Sequence, residues 1–296
     1  MDIVLQHSDS IDKKRWDALL MQSPLASVFH NSWYLDVLDK DWWAFLSKDY
    51  TFVLPFFAED KKVWMPFSVP YLGNVYLPEK MEFIDWSFIK LWQKHYTGIT
   101  YTFGKFDKIE PEGKYWKKVS FPEIDLVNDF KMIEKHFSSE VQEIINTKSD
   151  YRAVSFRSLY EMVEFLKQTT NYTIDQINAV RRVVLNATQK KLGKMYALYD
   201  LRNQLCGVVF IIYYKQKAYI LHSAFTTEAL SDKADFIMLK TIIEDLSIYN
   251  LSLENHSDGF NSTVWDQFGF KWYYVFQYEQ NTKQNLLSLF SQLLKR

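Results

Sequence analysis

Between residues 194 and 254 the hydrophobic period of the sequence switches twice, and that switch constrains the fold more than any other feature of the chain. Residues 194–200, 204–214 and 218–224 are apolar, β-branched and aromatic runs separated by the polar turns Leu201-Arg202-Asn203 and Lys215-Gln216-Lys217, a pattern that predicts three antiparallel strands in succession. A polar loop, Thr226-Thr227-Glu228-Ala229-Leu230-Ser231, gives way to a helix capped by Ser231 or Asp232, with an apolar stripe through Leu239, Ile242, Ile243 and Leu246. The strand period returns at Leu251-Ser252-Leu253-Glu254. Strand, helix and strand in this order form a right-handed crossover with the two strands parallel. The spacing therefore predicts an α/β chain with mixed sheets.

The remaining segments extend the pattern to both halves. Helices are predicted over 13–21 and, after Ser32, from Trp33 to Leu38; strands over 51–58 and 63–67, around the turn Glu59-Asp60-Lys61-Lys62. Pro66, Pro70 and Gly73 mark a fixed surface loop through Asn74. A helix over 82–96 and strands over 99–103 and 115–121 complete the first half, and Pro122 is the expected boundary. The second half begins with a helix over 129–145, a strand over 151–156, and helices over 159–168 and 173–192. Thr173 and Gln176 have capping-box spacing, and Gly193 suits the stop. A helical turn over 265–268, a strand over 271–278 and a tail helix over 285–294 follow. Each half thus reads strand, strand, helix, strand, strand. The expected units are 1–122, 123–280 and an amphipathic C-terminal helix within 281–296 that sets Leu286, Leu287, Phe290, Leu293 and Leu294 on one face and covers its own domain.

Composition narrows the function classes. A chain of 296 residues is long enough for two cores. Its 35 Lys and Arg against 36 Asp and Glu leave a net charge of -1, so no global field draws it to nucleic acid or to an anionic membrane. DNA is not an expected partner, and charge gives tRNA no support. The start Met1-Asp2-Ile3 lacks a basic n-region, and no apolar run approaches the roughly 18 residues of a spanning helix, so a cytoplasmic protein is expected. Cys206 is the only cysteine, which excludes an internal disulfide and a multi-cysteine metal site, and it is expected in the core. No histidine pair has ligand spacing, so no metal is expected. With 52 aromatic residues (10 Trp, 19 Tyr, 23 Phe) and only 8 Gly, large rings should fill the cores; lining a sugar-binding cleft is the secondary use. Arg181, Arg182, Lys190 and Lys191 are expected on a solvated helix face.

Ligands of crossover units bind beyond the carboxyl ends of the strands, where the chains diverge and backbone groups are left free. His222, Ser223 and Phe225 converge there from the first strand, and Glu254, Asn255, His256 and Asp258 from the second. The neighbouring helix N-terminus offers N–H groups that favour an anion such as a phosphate.

At these residues the chain resembles a known family. The run from Ala218 through Phe236-Ile237-Met238-Leu239-Lys240 to Leu251-Ser252-Leu253-Glu254-Asn255, then Phe268-Gly269-Phe270-Lys271, is similar to the Gcn5-related N-acetyltransferase (GNAT) fold in its FemAB-like, tandem form. Trp16, Ser23-Pro24, Phe29, Ser32, Trp33, Leu35 and the loop Pro70-Tyr71-Leu72-Gly73 resemble the N-terminal half of the same family, so the likeness spans nearly all of residues 13–280. It implies two tandem GNAT-like, acyl-CoA N-acyltransferase-type domains packed together. It also implies transfer of an acyl or aminoacyl group, from a CoA thioester or an aminoacyl-tRNA, to an amine of a cell-wall or polysaccharide precursor or a similar acceptor. Where acetyl-CoA users carry Arg/Gln-x-x-Gly-x-Gly/Ala, this chain has Leu230-Ser231-Asp232-Lys233-Ala234-Asp235, with two carboxylates that would repel a phosphate. Where peptidoglycan-type members show Phe-Lys-x-x-Phe-Gly, it has Val264-Trp265-Asp266-Gln267-Phe268-Gly269, and the long coiled-coil arm is missing.

Two functions follow. In a transferase, Glu254, or His222 or His256 through a water, takes the proton of the acceptor amine, N–H groups near Ser223 and Ala224 hold the oxyanion, and Ser223, Phe225 and Asn255 contact substrate. In a non-catalytic binding or assembly protein on the same fold, a cleft lined by Trp33, Tyr71, Asn74 and Trp265 holds a glycan or peptide without turnover.

Overall fold

The computed structural model describes residues 2–77, 88–104, 113–147 and 150–280; the expected tail helix at 285–294 and the start of the expected helix at 82–96 lie outside them. The chain forms two compact units, one running to Val119 and resuming at Tyr274, the other spanning Ser120–Tyr273.

The first unit contains β1 (Ile3–His7), α1 (Lys13–Gln22), α2 (Ser32–Leu38), β2 (Trp42–Ser47), β3 (Phe52–Glu59), β4 (Lys62–Trp64), β5 (Val75–Tyr76), α3 (Phe88–His95) and β6 (Gly98–Thr102). The chain continues through β7 (Trp116–Asp125), α4 (Phe130–Glu134), α5 (Ser139–Thr147), β8 (Tyr151–Phe156), α6 (Leu159–Thr169), α7 (Ile174–Gln189), β9 (Gly193–Asp200), β10 (Leu205–Tyr214) and β11 (Lys217–Phe225). It ends with α8 (Thr227–Ser231), α9 (Ala234–Leu246), β12 (Ser252–Asn255), α10 (Val264–Gln267) and β13 (Lys271–Gln280).

Strand order shows the duplication that element order implied. In the first unit β1-β2-β3-β4 are antiparallel neighbours and β4 pairs with β6 in parallel. In the second, β8-β9-β10-β11 are antiparallel neighbours and β11 pairs with β12 in parallel. Each repeat has two helices after its first strand; α3 precedes the parallel strand β6, and α8 and α9 precede β12. Within each unit the sheet takes a strand from the other repeat of the sequence: Glu123–Asp125 of β7 pair with β12 in the second unit, and Gln277–Gln280 of β13 pair with β6 in the first.

Local chemistry sets the boundaries. Asp12 caps α1 by accepting from Lys14 and Arg15, and Thr173 and Gln176 form the anticipated capping box of α7. That helix stops at Gln189, earlier than the pattern suggests, and Lys191, not Gly193, takes the left-handed conformation (φ 60°). Gly193 is needed for space instead, because a Cβ there would lie 2.9 Å from the Phe210 ring. The helix expected over 129–145 is two helices, since Asp129 caps the first and the chain breaks before Ser139. β1 and β2 are strands that their irregular pattern hides, loop 226–231 contains α8, and Pro122 sits inside β7 immediately before its first residue paired with β12.

Rings fill the first core: Trp16, Trp42 and Trp92 are fully buried, with Trp92 4.7 Å from Tyr101 and Phe45 stacked on Phe56. Each such side chain contributes about 2–3 kcal/mol by burial. In the second unit Phe236, Leu239, Ile242, Ile243 and Leu246 of α9 pack with Ala218, Ile220 and Leu253 of the parallel strands. Cys206 packs against this core half-buried, its thiol donating to the Gln204 carbonyl, because the turn at 201–204 leaves it near the surface.

Candidate functional site

The parallel pairing of β11 and β12 runs from Lys217–Ser252 to Ile220–Asn255 and closes with the His256 N–H donating to the Ile220 carbonyl at 2.9 Å. Beyond it β12 ends, while β11 continues to Phe225 beside β10 alone. The strands part where topology expects them to. In β11, Phe210 opposes His222 and Ile211 opposes Ile220, so Leu221 is an extra residue, a β-bulge. Ala218 and Ile220 face α9, whereas His222 past the bulge stacks on Phe210 and meets Tyr172 on the other face.

The predicted polar notch between the strand tips is filled by the chain itself. Ser257 places its hydroxyl 2.7 Å from that of Ser223, and Gly259 N–H donates to the Ser223 hydroxyl at 3.2 Å. Asn255 holds this loop by accepting from the Ser257 N–H and hydroxyl and donating to the Ser257 carbonyl. Gly259 approaches so closely that a Cβ would fall 2.4 Å from the Ser223 carbonyl oxygen. Ser223 and Asn255 are thus brought together as a buried lock. Phe225 packs on Phe260, and Trp265, expected to line a cleft, is 3% exposed between Phe260 and Phe270, because α10 turns its ring into the core.

Glu254 and His256 belong to a different cluster. The Glu254 carboxylate is fully buried and accepts from the Tyr273 hydroxyl at 2.6 Å and from His256 Nε2 at 3.1 Å, while Lys217 Nζ lies 2.5 Å from its other oxygen. Lys217 also approaches Glu123 at 3.5 Å. Burial pulls the Lys217 pKa down, but Glu254 and Glu123 outweigh it and hold the ammonium above the ordinary lysine value. Burial, then the charge of Glu254, lifts the Tyr273 hydroxyl well above its usual value, so it stays a donor. His256 lies edge-on to Phe121 at 4.4 Å and stacks on Tyr219 at 5.8 Å. His222 is not part of this cluster, and burial pushes it down to about 3. Sequence reasoning missed Lys217, Tyr273 and Glu123. Lys217 looked like a turn residue, and only the strand register puts it beside the row that holds Glu254.

The N-terminus of α9, expected to hold an anion, holds its own. Asp235 is buried; its carboxylate accepts from the Asn261 N–H at 3.0 Å and faces the N–H groups of its own residue and Phe236. Burial raises it to about 6 against the lowering pull of those N–H groups. A CoA pyrophosphate would meet a carboxylate there, so these residues do not fit that donor in the usual manner.

Trp33, Tyr71 and Asn74 lie in the first unit. Trp33 is half-buried against Tyr34, Tyr71 is buried against Phe29, and both amide atoms of the buried Asn74 lack a hydrogen-bond partner among the described residues. The preceding Gly73 (φ 125°) takes a conformation that other residues avoid, and its N–H donates to the Tyr101 hydroxyl. Among the described residues, two clefts open on the second unit. One, of about 450 Å³, lies beside α6 and is bordered by Tyr160, Glu161, Phe165, Leu205 and Thr226. The other, of about 380 Å³, is bordered by Glu123, Asp125, Lys217, Ser252 and Lys271. Among the described residues no helix is long and apolar enough to cross a membrane, and no group of His, Cys, Asp and Glu is arranged to hold a metal.

No protein-family model and no curated protein matches the chain. Solved structures do. FemX is similar over 97% of this chain and 99% of its own, at 10% identity and a TM-score of 0.63. A tandem GNAT protein from the clavulanic acid biosynthesis pathway is similar over 94% of this chain and 98% of its own, at 10% identity and a TM-score of 0.56. L-PGS from Bacillus licheniformis is similar over 96% of both chains, at 12% identity and a TM-score of 0.52. The chain has the FemAB-like tandem GNAT fold that its residues resemble.

Proposed function

We propose, for a chain with the FemAB-like tandem fold, that it is an N-acyltransferase or aminoacyltransferase acting on an amine of a cell-wall or polysaccharide precursor or a similar acceptor. The observation that supports this is Glu254, a carboxylate withdrawn from water yet held in one orientation by Tyr273, His256 and Lys217. As the acceptor nitrogen attacks the donor carbonyl, Glu254 takes the nitrogen's proton; the new C–N bond forms, the bond to the thiolate or ribose oxygen breaks, and the proton passes to that leaving group. The donor is an acyl-CoA or an aminoacyl-tRNA whose phosphates are held away from the α9 N-terminus, which Asp235 takes up. Thermal-shift screening with acyl-CoAs, aminoacyl-tRNA mimics and nucleotide-linked sugars identifies the ligand class, since binding raises the melting point by mass action. On the donor so found, Glu254→Gln should lower kcat by about 100-fold or more; full turnover by that variant would remove Glu254 as the base.

The filled notch and the occupied helix terminus favour a second reading, a binding or assembly protein without turnover. Asn74 and Trp33 then hold a glycan or peptide ligand. A covalently modified acceptor recovered from a purified reaction ends that reading.

A further inference from the structure

Strand register arranges one face of the second unit's sheet in rows. Lys217, Ser252 and Asp125 are successive neighbours across β11, β12 and β7; Tyr219, Glu254 and Glu123 form the next row inward. The first row borders the 380 Å³ cleft, together with Gln216, Asn250 and Lys271. In the second row Tyr219 and Glu254 are fully buried. Lys217 starts in the first row and reaches into the second, with Nζ 2.5 Å from Glu254 and 3.5 Å from Glu123, while a third of its side chain stays exposed. One ammonium, on a flexible four-carbon stem, therefore fills a slot between two carboxylates from different strands at the inner end of a cleft.

We propose that this slot is a binding site for the primary ammonium group of a ligand, and that Lys217 occupies it in the resting protein as an internal stand-in. An alkylammonium entering the cleft displaces Lys217 into solvent and takes its place between Glu254 and Glu123. The chemistry selects the ligand class. An ammonium brings several N–H donors to two carboxylates, a quaternary amine brings none, and an anion meets Glu123, Asp125 and Glu254 together. Displacement costs little at the lysine end, because a partly exposed Lys217 regains water and rotamer freedom. The inference rests on the transferase reading for its purpose, since an ammonium bound here would release one proton to water and, as the free amine, give a second to Glu254 on attack, but its measurement needs no turnover.

The test titrates the full chain with n-propylammonium chloride and follows the melting temperature, with tetramethylammonium chloride and sodium chloride at equal ionic strength as controls. Lys217→Ala should melt below the wild type and be rescued saturably by n-propylammonium alone. It should bind that amine roughly tenfold more tightly than the wild type, because the internal competitor is gone. Glu123→Gln removes one wall and should weaken the wild-type response, which keeps the test open if Lys217→Ala does not fold. The site is overturned if neither Lys217→Ala nor the wild type is stabilised saturably, if tetramethylammonium acts equally, or if Glu123→Gln responds like the wild type. Ammonium binding with no acyl transfer to any amine counts against the proposed activity and leaves the site standing. Transfer with an unchanged KM for the amine in Lys217→Ala does the reverse.

Discussion

Burial changes what three ionisable side chains do near neutral pH. Loss of water pushes His222 down to about 3 and His30 to about 4, so both are neutral in the folded protein at pH 7. Below the unfolded value of 6.5 the unfolded chain binds protons that the folded chain refuses. The histidines' contribution to stability is therefore complete above about pH 6.5 and is lost as the pH falls toward 3–4, by up to roughly 1.4 kcal/mol per pH unit for each histidine. His222→Phe should flatten part of that loss, measured by urea unfolding at stepped pH; an unchanged profile would contradict a buried neutral histidine. Asp235 acts with the opposite sign. Its folded pKa, raised to about 6 from 3.8, means that the folded chain holds the extra proton, and that contribution is lost as the pH rises through 6. Asp235→Asn should thus be more stable than the wild type at pH 7.5, with the advantage gone near pH 4. Glu254→Gln lets the partly exposed Lys217 turn to water and to Glu123, so it should cost only about 1 kcal/mol by urea denaturation; a loss several times larger would show that Lys217 cannot leave its slot.

Between residue and molecule stand the elements, and two of them position the site. The loop after β12 closes the strand tips only because residue 259 has no side chain. Gly259→Ala drives a Cβ into the Ser223 backbone and should cost about 1–3 kcal/mol, or else reopen the gap as a change in hydrogen exchange at Ser257–Gly259. Thr173→Ala removes half of the capping box of α7 and should cost about 1 kcal/mol without touching the Glu254 cluster. At this scale the sequence was most legible where period and punctuation agree, as in β9, β10, β11 and α9. It was least legible where a strand carries no alternation, as in Trp42–Ser47, which is buried at nearly every position. The site was half legible. Glu254 and His256 were readable as a strand-end pair, but the bulge at Leu221 turns His222 to a different environment, and no local signal announces a bulge.

For the whole molecule, the exchange of last strands means that neither repeat contains its own complete sheet. A fragment of residues 1–149 lacks the β13 residues that cover β6, and one of residues 150–296 lacks the β7 residues that cover β12. Expressed singly, both fragments should aggregate through an open sheet edge; expressed together, they should associate and elute as one species in size-exclusion chromatography. Independent solubility of either fragment would show that the exchanged strand is dispensable.

Sequence alone determined the mixed α/β class, the crossover between the parallel strands and the duplicated order of elements, because hydrophobic period and turn residues act over short stretches of chain. Tertiary structure decided which residues meet: that Lys217 reaches Glu254, that Ser257 and Gly259 fill the gap between the strand tips, and that Asp235 takes the place of an external anion. Those contacts join residues distant along the chain, and a strand's register or a single inserted residue changes them without altering any local pattern.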